Sequence, residues 1–384
     1  MPTPNTDRLV ADLIEMVSIR SINPVDEPAS PGHREQEFAD YYLTKLKALG
    51  LETDSREVVP GRPNVWGKLK GTGTGPSLMF AGHMDTVGVE GYANAHDAHL
   101  KDGRVYGRGA VDMKAALACY LEVVRLLQES GQTLPGDLYI GAVCDEEHLM
   151  IGSKDWGSNG PHADFGIIGE PTSLDICIAH KGQMTNKITT YGKAVHSSGP
   201  ENGVNAVEHM GAVITRLSGH NNDIRTKGPS HPLCGEGRFS MNVISGGMIS
   251  SAIPDQCELE VDRRYLPGET KESILQTYRD LLAPLAEEIP NFRAEVGPPN
   301  LDAPPLDVPA DSRVVKAIVK AAKTTGTNPE VTAFPASTDA PNMGFPCIVC
   351  GPGHLVQAHT IDEFVEVEQL VKATELYLEA TLNI

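Results

Sequence analysis

The sequence predicts an α/β protein of two domains, in which helices sandwich a parallel-rich sheet and a smaller α+β domain is inserted into the larger one. The chain has 384 residues, which is more than one ordinary hydrophobic core organises. Short apolar runs alternate with amphipathic helical segments over most of its length. Near residue 183 this alternation changes to the order β-α-β-β-α-β, which is that of a ferredoxin-like unit.

Buried strands and helices alternate in the first half of the chain. The segments SLMFAG (77–82), DLYIGAV (137–143) and FGIIG (165–169) are short and almost wholly apolar, as expected of strands covered on both faces. Between the first two, DMKAALACYLEVVRLLQESG (112–131) carries apolar residues at helical spacing and ends at a glycine. Helical connections of this kind predict parallel strands.

The inserted ferredoxin-like α+β domain is predicted over residues 183–298. Its strands are QMTNKITTYGK, FSMNVIS, CELEVDRRY and NFRAEV. One helix is predicted from Val204 to Leu217, and the segment LPGETKESILQTYRDLLAPLAEE carries a second, amphipathic helix. The proline-rich segment GPPNLDAPPLDVP is interpreted as a linker back to the larger domain, which comprises residues 1–182 and 299–384. A helix over 312–322, the strand PCIVCG and a helix over 367–382 complete that domain.

The charge of the chain excludes two classes of partner. Asp and Glu number 51 against 32 for Lys and Arg, so the formal charge is −19. Phosphate backbones and anionic membranes repel such a protein, and we expect no nucleic-acid and no membrane partner. No stretch approaches the ~20 apolar residues of a membrane span. The N-terminus has no apolar signal core, and we therefore expect a cytoplasmic location.

The cysteines give no sign of a disulfide framework or a zinc site. There are seven, and they are scattered along the chain, which fits reduced thiols. Cys347 and Cys350 form a CxxC inside the apolar run FPCIVCG. On a strand, residues three apart point to opposite faces, so we expect no metal or redox role for this pair.

Acidic and histidine side chains follow each apolar strand predicted for the larger domain. The clusters are GHMDT with His83 and Asp85, DEE with Glu146 and Glu147, GEPTS with Glu170, and QAHTIDE with His359. A further carboxylate, Asp112, lies in GRGAVDMK, where the next helix is predicted to begin. Because ligands of open α/β sheets bind beyond the carboxyl ends of the strands, we expect these side chains to meet at one edge.

The residue types in these clusters suit a site for two cations. Zinc accepts histidine nitrogen and carboxylate oxygen, and two cations ~3.5–4 Å apart need a bridging ligand such as a carboxylate. In the pair Glu146–Glu147, one carboxylate could ligate metal while its neighbour takes a proton from metal-bound water. Asp85 lies on the same side of an extended chain as His83, and we expect it to accept the free imidazole N–H.

With these motifs assembled, the chain resembles the two-zinc aminoacylase and carboxypeptidase family. That family includes acetylornithine deacetylase, succinyl-diaminopimelate desuccinylase and bacterial glutamate carboxypeptidase. The matching segments occur in family order and are GHMDTV, GRGAVDMKAALA, DEE, GEPTS, GKAVHSSGPENGVNA and GPGHLVQAHTIDE. The resemblance implies that the inserted domain is a lid and dimerisation domain, and that the protein is a homodimer.

The resemblance also implies a role for each motif residue of the larger domain. Two divalent ions are expected, zinc first and cobalt or manganese as alternatives. Their ligands would be His83 and Glu170 for one ion, Glu147 and His359 for the other, and Asp112 for both. Asp85 would support His83, and Glu146 would be the general base. The peptide bond from Asp112 to Met113 is expected to be cis.

Two residues of the inserted domain receive roles from the same resemblance. His196, in GKAVHSSGP, would polarise the scissile carbonyl, and in the family this histidine reaches the active site of the partner subunit. Arg264, in DRRYLPGE, would grip the substrate carboxylate, with Arg263 as the competing choice. Alternation along CELEVDRRY places Arg264 on the polar face with the acidic residues of that strand, which favours Arg264.

The predicted function is that of a metal-dependent amidohydrolase that removes a short N-acyl group from an amino acid. The segments around His196, CELEVDRRYLPGE and STDAPNMG are most similar to acetylornithine deacetylases. Ser251 stands where the family usually has Asn near the substrate carboxylate, which leaves the amino-acid part open. Desuccinylation and dipeptide hydrolysis are alternatives that use the same metal core. A catalytically silent, metabolite-binding homologue is the alternative from another class, although Glu146 and every ligand are present.

Overall fold

The computed structural model of the chain describes residues 2–25 and 34–384, which form two compact units. The larger unit comprises Met1–Ala179, Asp307–Phe334 and Thr338–Ile384, and the inserted unit comprises His180–Leu306 and Pro335–Ser337. The second boundary that the sequence predicts, between residues 298 and 299, lies within a strand of the inserted unit that extends to Ala303.

The α-helices of the described residues are mostly three to six turns long. They are α1 (Thr6–Ser18), α2 (Gln36–Ala48), α3 (Ala115–Glu129), α4 (Ile151–Asn159), α5 (Ala206–Lys227), α6 (Lys271–Leu282), α7 (Leu285–Glu288), α8 (Arg313–Thr325) and α9 (Val367–Asn383).

The strands are grouped into one large sheet and four smaller ones. They are β1 (Glu52–Val59), β2 (Arg62–Leu69), β3 (Leu78–His83), β4 (His99–Lys101), β5 (Arg104–Tyr106), β6 (Leu138–Val143), β7 (Phe165–Ile168), β8 (Ile176–His180), β9 (Gly182–Tyr191), β10 (Val195–His196), β11 (Ser230–His231), β12 (Gly235–Glu236), β13 (Arg238–Gly246), β14 (Ala252–Ile253), β15 (Gln256–Tyr265), β16 (Arg293–Ala303), β17 (Leu306–Asp307), β18 (Val331–Ala333), β19 (Cys347–Val349) and β20 (Phe364–Glu366).

The large sheet has the order β1-β2-β6-β3-β7-β19-β8-β17, with β18 paired to β8. Its centre, β6-β3-β7-β19, consists of parallel neighbours. β3 is buried along its whole length, as expected of a strand covered on both faces. The central strands are those that the apolar runs predict, and the predicted mixed α/β class with a parallel-rich sheet is confirmed.

The inserted unit contains an antiparallel sheet of order β13-β15-β9-β16. Along the chain its elements follow the order β9, α5, β13, β15, α6, β16, as expected of a ferredoxin-like unit. In β9 and β15 buried and half-exposed residues alternate, so one face of the sheet is apolar. Helices α5 and α6 contribute buried residues to the core on that face, among them Met210, Val213, Leu217, Ile274 and Tyr278.

The start of α3 differs from the sequence prediction. Helical spacing extends back to Asp112, but the helix begins at Ala115. Asp112 and Met113 have φ values of −122° and −131°, outside the helical range, and the peptide bond between them is cis. The residues before the helix therefore form a separate segment that carries Asp112.

Cys347 and Cys350 are both buried and free, as are most cysteines of the chain. Among the described residues, no helix combines the length and the apolar character that crossing a bilayer requires.

Candidate metal centre

The candidate site lies at the carboxyl ends of neighbouring parallel strands in the larger unit. β3 ends at His83, β6 ends two residues before Asp145, and β7 ends two residues before Glu170. These strands lie side by side, and β19 continues the row beside β7. The edge at which the sequence predicts the polar clusters to meet is therefore formed by adjacent strands.

His83, Asp112 and Glu170 form one half of a cluster of metal-type side chains. The Nε2 atom of His83 lies 3.1 Å from Oδ1 of Asp112 and 3.8 Å from Oε1 of Glu170. All three residues are buried. The structure thus brings together the residues that the sequence assigns to one ion.

Asp112 also belongs to the second half of the cluster, with Glu147 and His359. The Nε2 atom of His359 lies 3.3 Å from Oδ2 of Asp112 and 3.2 Å from Oε2 of Glu147. Asp112 therefore presents one oxygen to each histidine, as a carboxylate that bridges two cations must. Ligand atoms of His83, Asp112 and Glu147 all lie within 4.8 Å of one another.

The charges of the two histidines and the shared carboxylate depend on one another. Burial raises the pKa of Asp112, but the hydrogen bonds with His359 and His83 outweigh burial and hold this pKa well below its usual range. The contacts with Asp112 and Glu147 raise the pKa of His359 to about 10. The carboxylates and the histidines of this cluster therefore stabilise one another's charged forms.

Three glutamates crowd the same region. Removal from water raises the pKa of Glu146, Glu147 and Glu170, and neighbouring carboxylates raise each of them further. The Oε1 atoms of Glu147 and Glu170 are buried and have no hydrogen-bond partner within the described ranges. Buried carboxylate oxygens without partners are costly. Divalent cations would satisfy them, and a set of histidine nitrogens and carboxylate oxygens fits zinc.

The Asp85 side chain makes different contacts from those that the sequence predicts. The Nδ1 atom of His83 lies 2.9 Å from the main-chain oxygen of Asp85 and 3.6 Å from its Oδ1 atom. The carboxylate instead accepts hydrogen bonds from the main-chain N–H groups of Glu146 and Glu147, each at 3.1 Å. The main chain of Asp85 therefore orients His83, and its side chain holds the turn that carries the predicted base.

Glu363 and Arg108 hold the main chain around Asp112. Oε1 of Glu363 accepts hydrogen bonds from the N–H groups of Val111 at 2.9 Å and Asp112 at 3.2 Å. Its Oε2 atom accepts one from Nη1 of Arg108 at 2.6 Å. Both residues are buried. Glu363 lies in the motif QAHTIDE and Arg108 in GRGAVDMK. Glu363 was not identified from the sequence, because nothing in its residue type indicates that its carboxylate binds main-chain amides.

A further carboxylate, Asp339, was also missed by the sequence reasoning. It is 1% exposed, and burial raises its pKa to about 7. Its charge in turn raises the pKa of Glu146 and of Glu170. Asp339 lies in STDAPNMG, so that motif was the available signal.

His196 lies in the inserted unit, on the short strand β10. It is exposed, and its Nδ1 atom lies 2.8 Å from Oγ of Ser198. This contact leaves Nε2 as the ring atom that would face a substrate. The sequence prediction for His196 concerns a partner subunit, so its role stays a prediction.

Arg264 and Arg263 occupy opposite faces of β15. Arg263 is 4% exposed, and its guanidinium donates to the main-chain oxygens of Arg238 and Arg264 and to Glu269. Arg264 is half-exposed, and its Nε donates to Oδ1 of Asp262 at 2.9 Å. The two arginines therefore differ in exposure, and the more exposed Arg264 stays the predicted substrate-binding residue.

The chain is similar to known proteins in both sequence and fold. A family model described as peptidase family M20/M25/M40 matches residues 79–383. An acetylornithine deacetylase from Aliivibrio salmonicida is 32% identical over 382 residues, which cover 96% of this chain and 94% of that protein. An acetylornithine deacetylase from Vibrio cholerae is 35% identical over 364 residues, or 92% of each chain. A tripeptidase structure from Staphylococcus aureus has the same fold, with a TM-score of 0.81, 23% identity, and coverage of 99% of this chain and 98% of that one.

Proposed function

Because the chain belongs to peptidase family M20/M25/M40, we propose that it hydrolyses an N-acyl amino acid, with N-acetylornithine or a close analogue as substrate. The chain is a metal-dependent amide hydrolase. The observation that carries the proposal is the position of Asp112, which presents one carboxylate oxygen to His83 and the other to His359. The named relatives, which match more than nine-tenths of the chain, support the choice of substrate.

The proposed cofactor is a pair of divalent ions, with zinc as the first choice. His83 and Glu170 would hold one ion, Glu147 and His359 the other, and Asp112 both. Bound ions of this kind supply Lewis acidity at an acyl carbonyl and lower the pKa of water. The unpartnered oxygens of Glu147 and Glu170 support this assignment.

In the proposed reaction, Glu146 is the proton carrier. It takes a proton from the attacking water and later gives that proton to the leaving amine. The C–O bond forms and the C–N bond breaks, so the products are a carboxylate and an amine. A raised pKa suits this role, because the same carboxyl group must both accept and release the proton.

The substrate contacts and the assembly form the second part of the proposal. His196 of one subunit would polarise the acyl carbonyl at the metal site of the other subunit, and Arg264 would bind the α-carboxylate of the substrate. We place the dimer contact on the inserted unit, where β13 forms an edge of its sheet. A cytoplasmic location is part of the same proposal, and the seven scattered cysteines of the sequence, which fit reduced thiols, support it.

Succinyl-diaminopimelate desuccinylation and dipeptide hydrolysis are the alternative reactions on the same metal core. Ser251 bears on this choice, since it replaces an asparagine that the family usually has near the substrate carboxylate. Its main-chain oxygen accepts a hydrogen bond from the N–H of Ser197, close to His196 in sequence. Because these reactions share the metal core, the side chains that contact the substrate determine which of them the enzyme catalyses.

The test is a panel of N-acetylornithine, N-succinyl-diaminopimelate and a dipeptide, with the released primary amine as the readout. We expect kcat/KM for N-acetylornithine to exceed that for the others by about tenfold or more, which corresponds to about 1.4 kcal/mol of discrimination. Glu146→Ala is the control, and it should retain metal but lose about 10²–10⁴-fold in turnover. Preference for either other substrate would contradict the assignment, and absence of all amide hydrolysis by the metal-loaded protein would contradict catalysis.

A further inference from the structure

A second group of buried polar side chains lies in the larger unit beside the metal cluster. It consists of Asn23, Glu35 just before α2, Arg62 at the start of β2, and Asp145 after β6. Their exposed fractions are 4%, 0%, 8% and 1% respectively. Of these four, only Asp145 belongs to a metal-site motif. A buried charge needs paired partners, so the contacts of this group indicate what it stabilises.

Arg62 joins two carboxylates. Its Nε atom donates to both oxygens of Glu35, at 2.8 Å and 3.1 Å, and its Nη2 atom donates to Oε1 of Glu35 at 2.6 Å. Its Nη1 atom lies 2.6 Å from Oδ1 of Asp145. The planar guanidinium group thus fixes Glu35 and Asp145 relative to each other, which a single ammonium group cannot do in the same way.

Asp145 is held from several directions. Its main-chain N–H donates to Oε1 of Glu35 at 3.1 Å. Its Oδ1 atom accepts a hydrogen bond from Asn23 at 3.0 Å in addition to its contact with Arg62. Its Oδ2 atom accepts hydrogen bonds from the N–H groups of Leu149 and Ile151. The carboxylate and the main chain of Asp145 are therefore both fixed by buried partners.

The backbone at Asp145 needs this support. Its φ value is 67°, in the left-handed region that residues other than glycine seldom adopt. Such a conformation persists only where the surroundings over-determine it. The next two residues are Glu146, the predicted base, and Glu147, a predicted metal ligand. The backbone conformation at Asp145 therefore determines the direction in which the chain carries these two residues beyond the end of β6.

We propose that Arg62 is a positioning residue for the turn Asp145–Glu147, and that it holds the general base and one metal ligand in place without contacting substrate or metal. This inference rests on the proposed function, because Glu146 is a base only if the chain hydrolyses amides. Arg62 acts through Asp145 directly and through Glu35, which binds the N–H of Asp145.

The test variant is Arg62→Lys, which keeps the buried positive charge but loses the fork that binds both carboxylates. We expect kcat of the metal-loaded enzyme to fall on the order of 10- to 100-fold with little change in KM, because a small displacement of a reacting group lowers turnover strongly. A titration of the metal-free protein with Co²⁺, followed by its visible spectrum, should show weaker binding of one of two ions, since Glu147 lies on the same turn.

Arg125→Lys is the matched control. Arg125 also pairs with two carboxylates, Asp12 at 2.6 Å and Glu122 at 3.3 Å, and its side chain is 16% exposed against 10% for Arg62. None of its partners belongs to the metal site. We expect both lysine variants to lower the midpoint of thermal unfolding, but only Arg62→Lys to change kcat and Co²⁺ binding.

Equal kcat and Co²⁺ binding in Arg62→Lys and the wild type would overturn the proposal, as would the same losses in Arg125→Lys. If Arg62→Lys does not fold, Glu35→Gln decides the question. The glutamine keeps an acceptor for the N–H of Asp145 but loses its charge-assisted hold on Arg62, so a smaller loss of kcat is expected, and an unchanged kcat would overturn the proposal. The Co²⁺ titration needs no substrate, so it distinguishes failure of this inference from failure of the proposed reaction.

Discussion

The Asp85 side chain binds the main chain of the turn that follows the neighbouring strand β6. Strands β3 and β6 are parallel, and their register pairs His83 with Val143. The residues that follow each strand therefore come close to one another, and the Asp85 carboxylate meets the N–H groups of Glu146 and Glu147. The sequence alone could not predict this contact, because it depends on the register between two strands far apart in the chain.

This contact leads to a prediction for Asp85→Asn. The amide group would place a donor opposite one of the two N–H groups, and a buried unpaired donor costs about 1–3 kcal/mol. The main-chain oxygen that orients His83 is unaffected by the substitution. We therefore expect the variant to keep its metal content, measured by elemental analysis, while kcat falls on the order of 10- to 100-fold.

Asp12→Asn is the control for the loss of a buried carboxylate. Asp12 is 5% exposed and pairs with Lys45 and Arg125, away from the metal site. It should lower stability without lowering kcat. If Asp85→Asn instead loses metal while turnover per bound metal stays unchanged, the carboxylate serves His83, as the sequence reasoning supposed.

At the scale of single elements, strand β16 explains why the inserted unit extends beyond residue 298. The proline-rich composition of GPPNLDAPPLDVP is typical of a linker. β16 lies at the edge of its sheet and pairs with β9, and its register shifts on either side of Pro299. Proline is tolerated at an edge and at such irregularities, so the strand continues to Ala303. Composition alone could not distinguish this case from a linker.

Strand β13, at the other edge of the same sheet, supports the proposed dimer. Val243 and Ile244 on this strand are 52% and 55% exposed, and Met248 and Ile249 just after it are 97% and 63% exposed. Unpaired edges with exposed apolar side chains are templates for pairing with another chain. This edge is therefore the part of the inserted unit that a second copy would cover.

We predict that the proposed dimer is lost in Ile244→Lys, which should be a monomer at micromolar concentration, because a charge on an edge strand disfavours pairing with another copy. Light scattering coupled to size-exclusion chromatography measures the mass. Val59→Lys is the control, since Val59 lies on the edge strand β1 of the larger unit and is 39% exposed. A dimer that persists in Ile244→Lys and dissociates in Val59→Lys would place the contact on the larger unit.

At the scale of the whole molecule, the fold and the metal cluster could be predicted from the same observation. Each apolar run ends in acidic or histidine residues, and adjacent parallel strands bring those ends to one edge of the sheet. The supporting side chains Arg62, Glu35 and Glu363 could not be predicted in this way. Their partners are main-chain amides or charges that only the tertiary structure brings close.

The last prediction concerns how two copies of the chain share the reaction. His196 and the metal cluster belong to separate units of the chain, and we have proposed that His196 serves the other subunit. His196→Ala and Glu146→Ala should then each be inactive alone. After subunit exchange in an equal mixture, half of the dimers would carry one copy of each, with one intact site, so about a quarter of wild-type activity should return.

Subunit exchange must be shown independently, for example by energy transfer between dye-labelled copies of the two variants. Arg125→Lys mixed with Glu146→Ala is a useful control, because it should show the activity of its unaltered sites whether or not exchange occurs. If exchange is complete and the mixture of His196→Ala with Glu146→Ala stays inactive, His196 acts within its own chain. A His196→Ala variant that is active on its own would show that His196 has no part in the reaction. Recovery would instead require that the intact base of one subunit and the intact histidine of the other meet at one metal site, which makes the dimer the catalytic unit.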